Sequence, residues 1–598
     1  MQNHQAVNDP PVPLHSAMDD QEILDNIDGR MHGPMSRFIQ RYFGNFQYVH
    51  RDDILEIQAA GVVSSRCAIP QAAPSPDNFL QWFSDYMLRE LDGARGSWHV
   101  SSGNTAPEHG TRDDGACLLL TIPTSPTCGD RVRWDHVQVI GQFCYGGRVS
   151  YQDGLLRLCR SAYQVFDSQP LRLFLHGFYT RGSLIEFWVF DRSGLYCSEV
   201  FDIQKDFNQF LSIILSYQRM TDQDLGNNGF IRADKGGSYI TLDGADMPSL
   251  GKLYLEEQPI ASRGGIAGTG TTCYRTRMPD SDRWDYVLKF KWRWVRERPE
   301  DELLKLAKKK CVWGAISLDF YKELESTAYL RRMMRWGTGR KFIESTEEQR
   351  QKVACDADGL AGYTEETEDY FENRMLTCVV TSPVGRPLHT FRSILELLQV
   401  FRDAIKCHRS LYNDGAILHQ DISSGNMIIL DEQEEGDPRG VLIDLDAAIE
   451  LAEISESEGR ITGTRPFMAI GALKGELHTY RHDLESFFYV FLWAIITDRT
   501  DSPPEDSRLR QWSDGSLQEV AARKLLDIEQ DGFGQILEEF GPEFCSLKPL
   551  AQRLRQFLFP ERGGAIWIGT DEPPGDVDRL YDEMICAFEG AIASEGGS

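Results

Sequence analysis

The sequence predicts an α+β chain ending in a two-lobed domain, β-rich in its small lobe and helical in its large lobe, preceded by a helical segment and a β-rich N-terminal domain. Three observations predict this. Residues 25–95 keep apolar side chains at helical spacing, as from Asn78 to Leu91, where Phe79, Trp82, Phe83, Tyr86, Met87 and Leu91 share a face. From Cys117 to about Phe201 the pattern shortens to β-type runs (CLLLTI, HVQVIGQFCY, LRLFLHGFY, SLIEFWVF) divided by the turn signals CGD, YGG, TRGS and DRSG. From about Gly251 a glycine-rich turn, strands and then long helices succeed one another. The expected divisions are a disordered tail over 1–24, a helical region and linker over 25–115, a β-rich domain over 116–246, a small lobe with insertions over 247–385 and a large lobe over 386–598.

Composition narrows the class. The 598 residues are 41% hydrophobic and 26% charged, which excludes collagen-like, wholly disordered and disulfide-scaffold chains. Lys and Arg number 63 against 91 Asp and Glu, a net charge of −28 that opposes non-specific binding to nucleic acid or an anionic membrane, so neither is expected as a partner. The 13 cysteines never fall as CxxC, which points away from a zinc site or disulfide framework and toward a reducing intracellular compartment, cytoplasmic or nuclear. The opening MQNHQAVNDPPVPLHSAMDD has neither a basic nor an apolar region and reads as a tail rather than a signal peptide. Ser486 to Thr497 (SFFYVFLWAIIT) is apolar all round but falls short of the ~20 residues of a membrane span, so a buried core helix is expected.

The informative chemistry begins at Ile417 to Leu430, ILHQDISSGNMIIL. His-Gln-Asp followed at a fixed interval by Asn has the spacing of a kinase catalytic loop: Asp421 would accept or orient an attacking hydroxyl, while Asn426 turns back to hold a metal on nucleotide phosphates. Met427 to Leu430 and Val441 to Ile443 then form a hairpin that delivers Asp444 as the second metal ligand. Upstream, in Tyr286 to Lys291, Val287 and Lys289 share a strand face, so Val287 would cover adenine and Lys289 would reach the phosphates; Lys291 lies on the same face, and the pattern leaves it open. Gly268 and Gly270 offer two glycines of a phosphate-covering loop, with Cys273 where a third would stand; a plain hairpin turn is the alternative. Glu302, near the start of the helical run DELLKLAKKK, is placed to pair with the strand lysine, with Glu300 a neighbouring candidate. His419 reads as a packed histidine orienting the loop, and Cys273 as a small strand residue. In the β-rich region Gln142 and Cys144 stand where a nuclease would need Glu and Lys, so that reading is rejected.

Gly463 to Ala469 (GTRPFMA), His478 and Arg481 to Val490 (RHDLESFFYV), with Ser183 to Gly194 upstream, together resemble the fungal-type protein kinase family over roughly residues 115–560. The resemblance implies a protein-kinase-like bilobal fold, ATP with Mg2+ as cofactors, and transfer of the γ-phosphoryl group to a Ser or Thr hydroxyl of a protein substrate. It also implies that Asp483 sits in a buried helix and supports the catalytic-loop backbone, in keeping with the donors a buried carboxylate requires. The sequence departs from the common kinase pattern at Gln420 in place of Arg, at Asp444-Leu445-Asp446 in place of Asp-Phe-Gly, at Ser423, and at Ala469-Ile470-Gly471 in place of Ala-Pro-Glu. A protein serine/threonine kinase is the leading expectation. A pseudokinase or scaffold that binds nucleotide weakly or not at all is the alternative, and a small-molecule phosphotransferase of the aminoglycoside or choline kinase sort is a third.

Overall fold

The computed structural model describes residues 20–44, 73–87, 95–102, 115–122, 132–145, 149–244, 249–334, 336, 341–342, 370–431, 436–457, 461–569 and 576–596. The expected tail lies outside them up to residue 19, but residues 20–24 already belong to the helix Asp20–Ile27, whose Ile23 and Ile27 are buried. Most of the expected linker, 103–114, also lies outside.

The first sheet joins β1 (Met31–His32), β2 (Ser97–Ser102), β3 (Gly115–Thr121), β4 (Val137–Cys144), β5 (Phe174–Arg181), β6 (Leu184–Asp191), β7 (Gly194–Cys197) and β8 (Phe201–Asp202) in the order β1-β7-β6-β5-β4-β3-β2, with β8 against β6. β4 and β5 pair in parallel, which requires a crossover; the helix Tyr151–Ser168 supplies it, capped at its start by Ser150. β6 shows why its sequence is apolar on both faces. Ile185, Phe187 and Val189 enter one core, Trp188 and Phe190 the other, beneath the crossover helix.

The second sheet holds β9 (Ile231–Asp234), β10 (Gly237–Leu242), β11 (Gly251–Leu255), β12 (Ala261–Ser262), β13 (Thr272–Arg277), β14 (Tyr286–Trp294), β15 (Ser317–Ser326) and β16 (Arg374–Ser382). Its order is β15-β16-β14-β13-β11-β10-β9, with β12 on β13 and every pairing antiparallel. Strand pairing therefore crosses two expected boundaries. β1 and β2, from the expected helical region, belong to the first sheet, and β9 and β10 belong with the small lobe. The two sheets also share one apolar core, in which Ile185, Phe187 and Val189 join Leu288, Phe290, Trp292, Phe320 and Val380. A polar seam accompanies it: Arg331 holds Asp191 through Nε to Oδ2 at 2.7 Å and Nη2 to Oδ1 at 2.6 Å, both side chains fully buried.

The large lobe is helical, with its core built on Ile394–Asn413, Tyr480–Thr497, Leu517–Ile528, Gln530–Glu538, Lys548–Leu558 and Asp576–Glu595. Tyr480–Thr497 is buried along almost its whole length, as its sequence led us to expect. Among the described residues no helix is long and apolar enough to cross a membrane. Small two-stranded and three-stranded sheets of β17 (Arg386–Pro387), β18 (Ile417–Leu418), β19 (Met427–Ile429), β20 (Gly440–Leu442) and β21 (Ile449–Glu450) frame the loop after β18.

Candidate active site

β14 sorts its side chains by alternation: Leu288, Phe290 and Trp292 enter the core, which turns Val287, Lys289 and Lys291 to the opposite face. Lys289 Nζ donates to Glu300 Oε2 at 3.0 Å, Asp444 Oδ1 at 2.8 Å and Asp446 Oδ2 at 2.5 Å. Lys291 Nζ lies 2.9 Å from Asp446 Oδ1, so both candidate lysines reach the same acidic cluster. Burial pulls the Lys289 ammonium down, but Asp444, Asp446 and Glu300 outweigh it and hold the group well above its ordinary value. Burial and the nearby Asp446 push the Glu300 carboxyl up to about 7 against the pull of Lys289. Burial would likewise raise Asp444, yet Lys289 and its hydrogen bonds bring it well below the ordinary carboxylate range.

The partner of Lys289 is thus Glu300 and not Glu302. The helix Glu300–Lys309 starts after Pro299 with Glu300, Asp301 and Glu302 in its first turn, a placement favoured by the helix dipole. Only Glu300 of the three bonds Lys289; Glu302 accepts from Arg298 Nε at 2.9 Å and is half exposed. Glu300 Oε1 also accepts the N–H of Leu445 at 3.2 Å, tying the helix to the segment that carries Asp444.

The hairpin β19–β20 forms in the register Met427 with Leu442, and the N–H of Ile443 donates to Asn426 O at 3.0 Å. Asn426 Nδ2 donates to Asp421 O at 2.9 Å and to Asp421 Oδ2 at 3.1 Å, which leaves Oδ1 as the acceptor of its amide. The other carboxylate oxygen, Asp421 Oδ1, accepts from Thr464 N at 2.7 Å and Thr464 Oγ1 at 2.8 Å. His419 packs without exposure against Ile443 O at 3.2 Å, burial holding its imidazole below its ordinary value. Gln420 adopts φ 65°, and its N–H donates to Asp483 Oδ2 at 3.1 Å. Asp483, fully buried, also accepts from His408 and His478 at 2.8 Å each. Its support of the catalytic-loop backbone, implied by the family resemblance, is therefore present.

Val287 is half-buried on the Lys289 face. Gly268 and Gly270 lie between β12 and β13 at φ +115° and +48°. The Gly268 N–H donates to Arg192 O at 2.9 Å in this conformation, so that amide is engaged by protein. Sequence reasoning missed two contributors. Thr464, inside the quoted GTRPFMA, carried no signal of its contact with Asp421. Asp446 was legible only as a departure from Asp-Phe-Gly, although a second acidic residue after a hairpin strand could have been read as a further lysine partner.

One carboxylate oxygen from each of Glu300, Asp444 and Asp446 lies within 4.8 Å of the others. Such hard oxygen donors, with Asn426 joined by its backbone oxygen to the Ile443 N–H beside Asp444, fit magnesium carried on nucleotide phosphates. A sheet-built small lobe, a helical large lobe and a lysine-carboxylate site between them define the protein kinase class. The chain belongs to the fungal protein kinase family, whose model matches residues 123–495 and so includes β4 to β8 of the first sheet as well as both lobes up to the helix Tyr480–Thr497. Among solved structures, one titled "Structure of vaccinia related kinase 3" aligns over 61% of this chain and 90% of its own, at 13% identity and a TM-score of 0.34. Among the curated proteins nothing matches the chain.

Proposed function

We propose that the chain is a protein serine/threonine kinase using ATP and magnesium. The observation that carries this reading is the paired state of Asp421, one carboxylate oxygen held by Asn426 and the other by Thr464, with Lys289 joined to Glu300 and Asp444. ATP and magnesium would supply the phosphoryl group and neutralise its charge when bound. Lys289 would take phosphate oxygens in exchange for its carboxylates, and Val287 would cover the base. Asn426 and Asp444 would hold the metal. Asp421 would accept the proton of the attacking hydroxyl, its orientation fixed by Asn426 and by the Thr464 N–H. Phosphate transfer from radiolabelled ATP to a generic protein acceptor tests the reading: Asp421→Asn should lower the rate about 10²- to 10⁴-fold. Equal incorporation by the two proteins would end it.

A second reading, a scaffold with little nucleotide binding, is favoured by one observation: Lys289 already satisfies all three of its donors with carboxylates. Thermal shift separates the two, because a ligand at about 100 times its Kd stabilises the native state by about 2.7 kcal/mol. No shift with magnesium-ATP supports the scaffold.

A further inference from the structure

The glycine-rich loop of the small lobe is held by residues outside that lobe. Between β12 and β13, Ile266 is buried at 1% exposure in the cluster formed by the first sheet and its crossover helix. Asn26, on the helix Asp20–Ile27, reads the loop backbone with its whole carboxamide: Oδ1 accepts from Ile266 N and Ala267 N at 2.9 Å each, and Nδ2 donates to Ala267 O at 2.8 Å. Arg192, in the turn between β6 and β7, holds the next stretch. Its carbonyl accepts the Gly268 N–H at 2.9 Å, and its Nη1 donates to Gly265 O at 2.7 Å. Its guanidinium is fixed in turn by Pro170 O at 2.9 Å and by the Phe166 ring, 4.7 Å away. A Cβ on Gly270 would stand 2.7 Å from Arg192 Cζ, so the guanidinium occupies the space that glycine leaves. At the far end Thr269 O accepts from Trp292 N at 2.7 Å, on the strand that carries Lys289.

Gly265, Gly268 and Gly270 all have positive φ, and a free segment of this composition would sample many conformations. Its ordering would then fall on ligand binding and weaken it. We propose that Asn26 and Arg192 are positioning residues that set the affinity of the cleft for a nucleoside triphosphate by holding residues 263–271 in one conformation. The proposal rests on the kinase reading of the cleft. If loss of the clamp leaves about one-tenth of molecules competent, the apparent Kd rises about tenfold.

The test uses the full chain, with Asn26→Ala, Asn26→Asp and Arg192→Lys. Asn26 is only half-buried, so its replacements decide the matter even if the buried Arg192 tolerates none. Hydrogen exchange of residues 263–271 is measured without nucleotide, and kcat and KM with magnesium-ATP. Asn26→Ala should speed exchange at Ile266 and Ala267 and raise KM for ATP about tenfold, with kcat and the acceptor KM within about twofold. Asn26→Asp, which keeps both acceptor contacts but turns a carboxylate oxygen toward Ala267 O, should recover only part of the protection. A wild type that turns over ATP, together with Asn26→Ala exchange and ATP KM at wild-type values, overturns the clamp alone. A wild type that neither binds nor turns over ATP overturns the kinase reading, and the affinity claim with it.

Discussion

Lys289 shows how a single ammonium can organise a cleft. Its desolvation is offset by three carboxylates on two separate segments, of which Asp446 also meets Lys291. Glu300→Gln should therefore lower kcat/KM for ATP about tenfold to a hundredfold, the range expected for loss of a charged hydrogen bond. Glu302→Gln should stay within about twofold, since its partner is the surface residue Arg298. Steady-state kinetics on both variants check the pair. The acidic start of this helix was legible in the sequence; which carboxylate faces the cleft was not. Each residue turns the helix by about 100°, so the answer depends on how the chain leaves β14, and no pattern records that path.

At the scale of elements, the helix Tyr480–Thr497 does more than fill the core. Glu485 Oε1 accepts the Ile470 N–H at 2.7 Å and Tyr489 OH at 2.8 Å, and Lys524 Nζ, from the helix Leu517–Ile528, donates to Met468 O at 2.7 Å. These contacts anchor the GTRPFMA segment where the usual Ala-Pro-Glu carboxylate is missing. Burial pulls the Lys524 ammonium well below its ordinary value, against Glu485 and Asp527, so its retention is costly. Lys524→Met leaves Met468 O without its donor and should cost about 1–3 kcal/mol of stability, while raising the acceptor KM several-fold and leaving the ATP KM unchanged. Denaturant midpoints and two-substrate kinetics read both effects. The apolar run of the first helix and the hairpin that delivers Asp444 were visible from period and turn residues alone. The role of Lys524 was not, because its carbonyl partner is 56 residues away and a backbone group has no signature in sequence.

Across the whole molecule, the two sheets share one apolar core. Asp191→Ala would leave the guanidinium of Arg331 buried without its carboxylate, a loss of about 3–5 kcal/mol. Urea unfolding should show one transition shifted as a whole, followed equally by probes in either sheet; two separate transitions would contradict the shared core. Acid should act on the first sheet through His176 and on the large lobe through His482. Burial depresses both His176 and His482 from 6.5 to about 3, so both are neutral when folded and take up protons on unfolding. Their contribution is intact above about pH 6.5 and declines as pH falls, by up to about 1.4 kcal/mol per unit for each group. Urea midpoints compared between about pH 7 and pH 5 should fall, and His176→Phe should make that fall shallower. The strands β3 to β7 were legible by period, but the helices Tyr151–Ser168 and Phe207–Tyr217 inside the expected β-rich region were not, nor was the way the sheets share a core. Period tells which face of a strand is apolar; it does not tell that the face of Leu288, Phe290 and Trp292 is covered by the sheet containing Phe187.

The Asp191-Arg192-Ser193-Gly194 turn makes that union hard to take apart. Asp191 is locked to Arg331, Arg192 to the loop at Gly265 and Gly268, and Ser193 Oγ to Thr327 Oγ1 at 2.8 Å, while a Cβ on Gly194 would stand 2.1 Å from Arg30 O. Chimeras that graft the lobes of one relative onto the upstream region of another would fail at this junction. A workable exchange has to transplant both sheets as a single cassette.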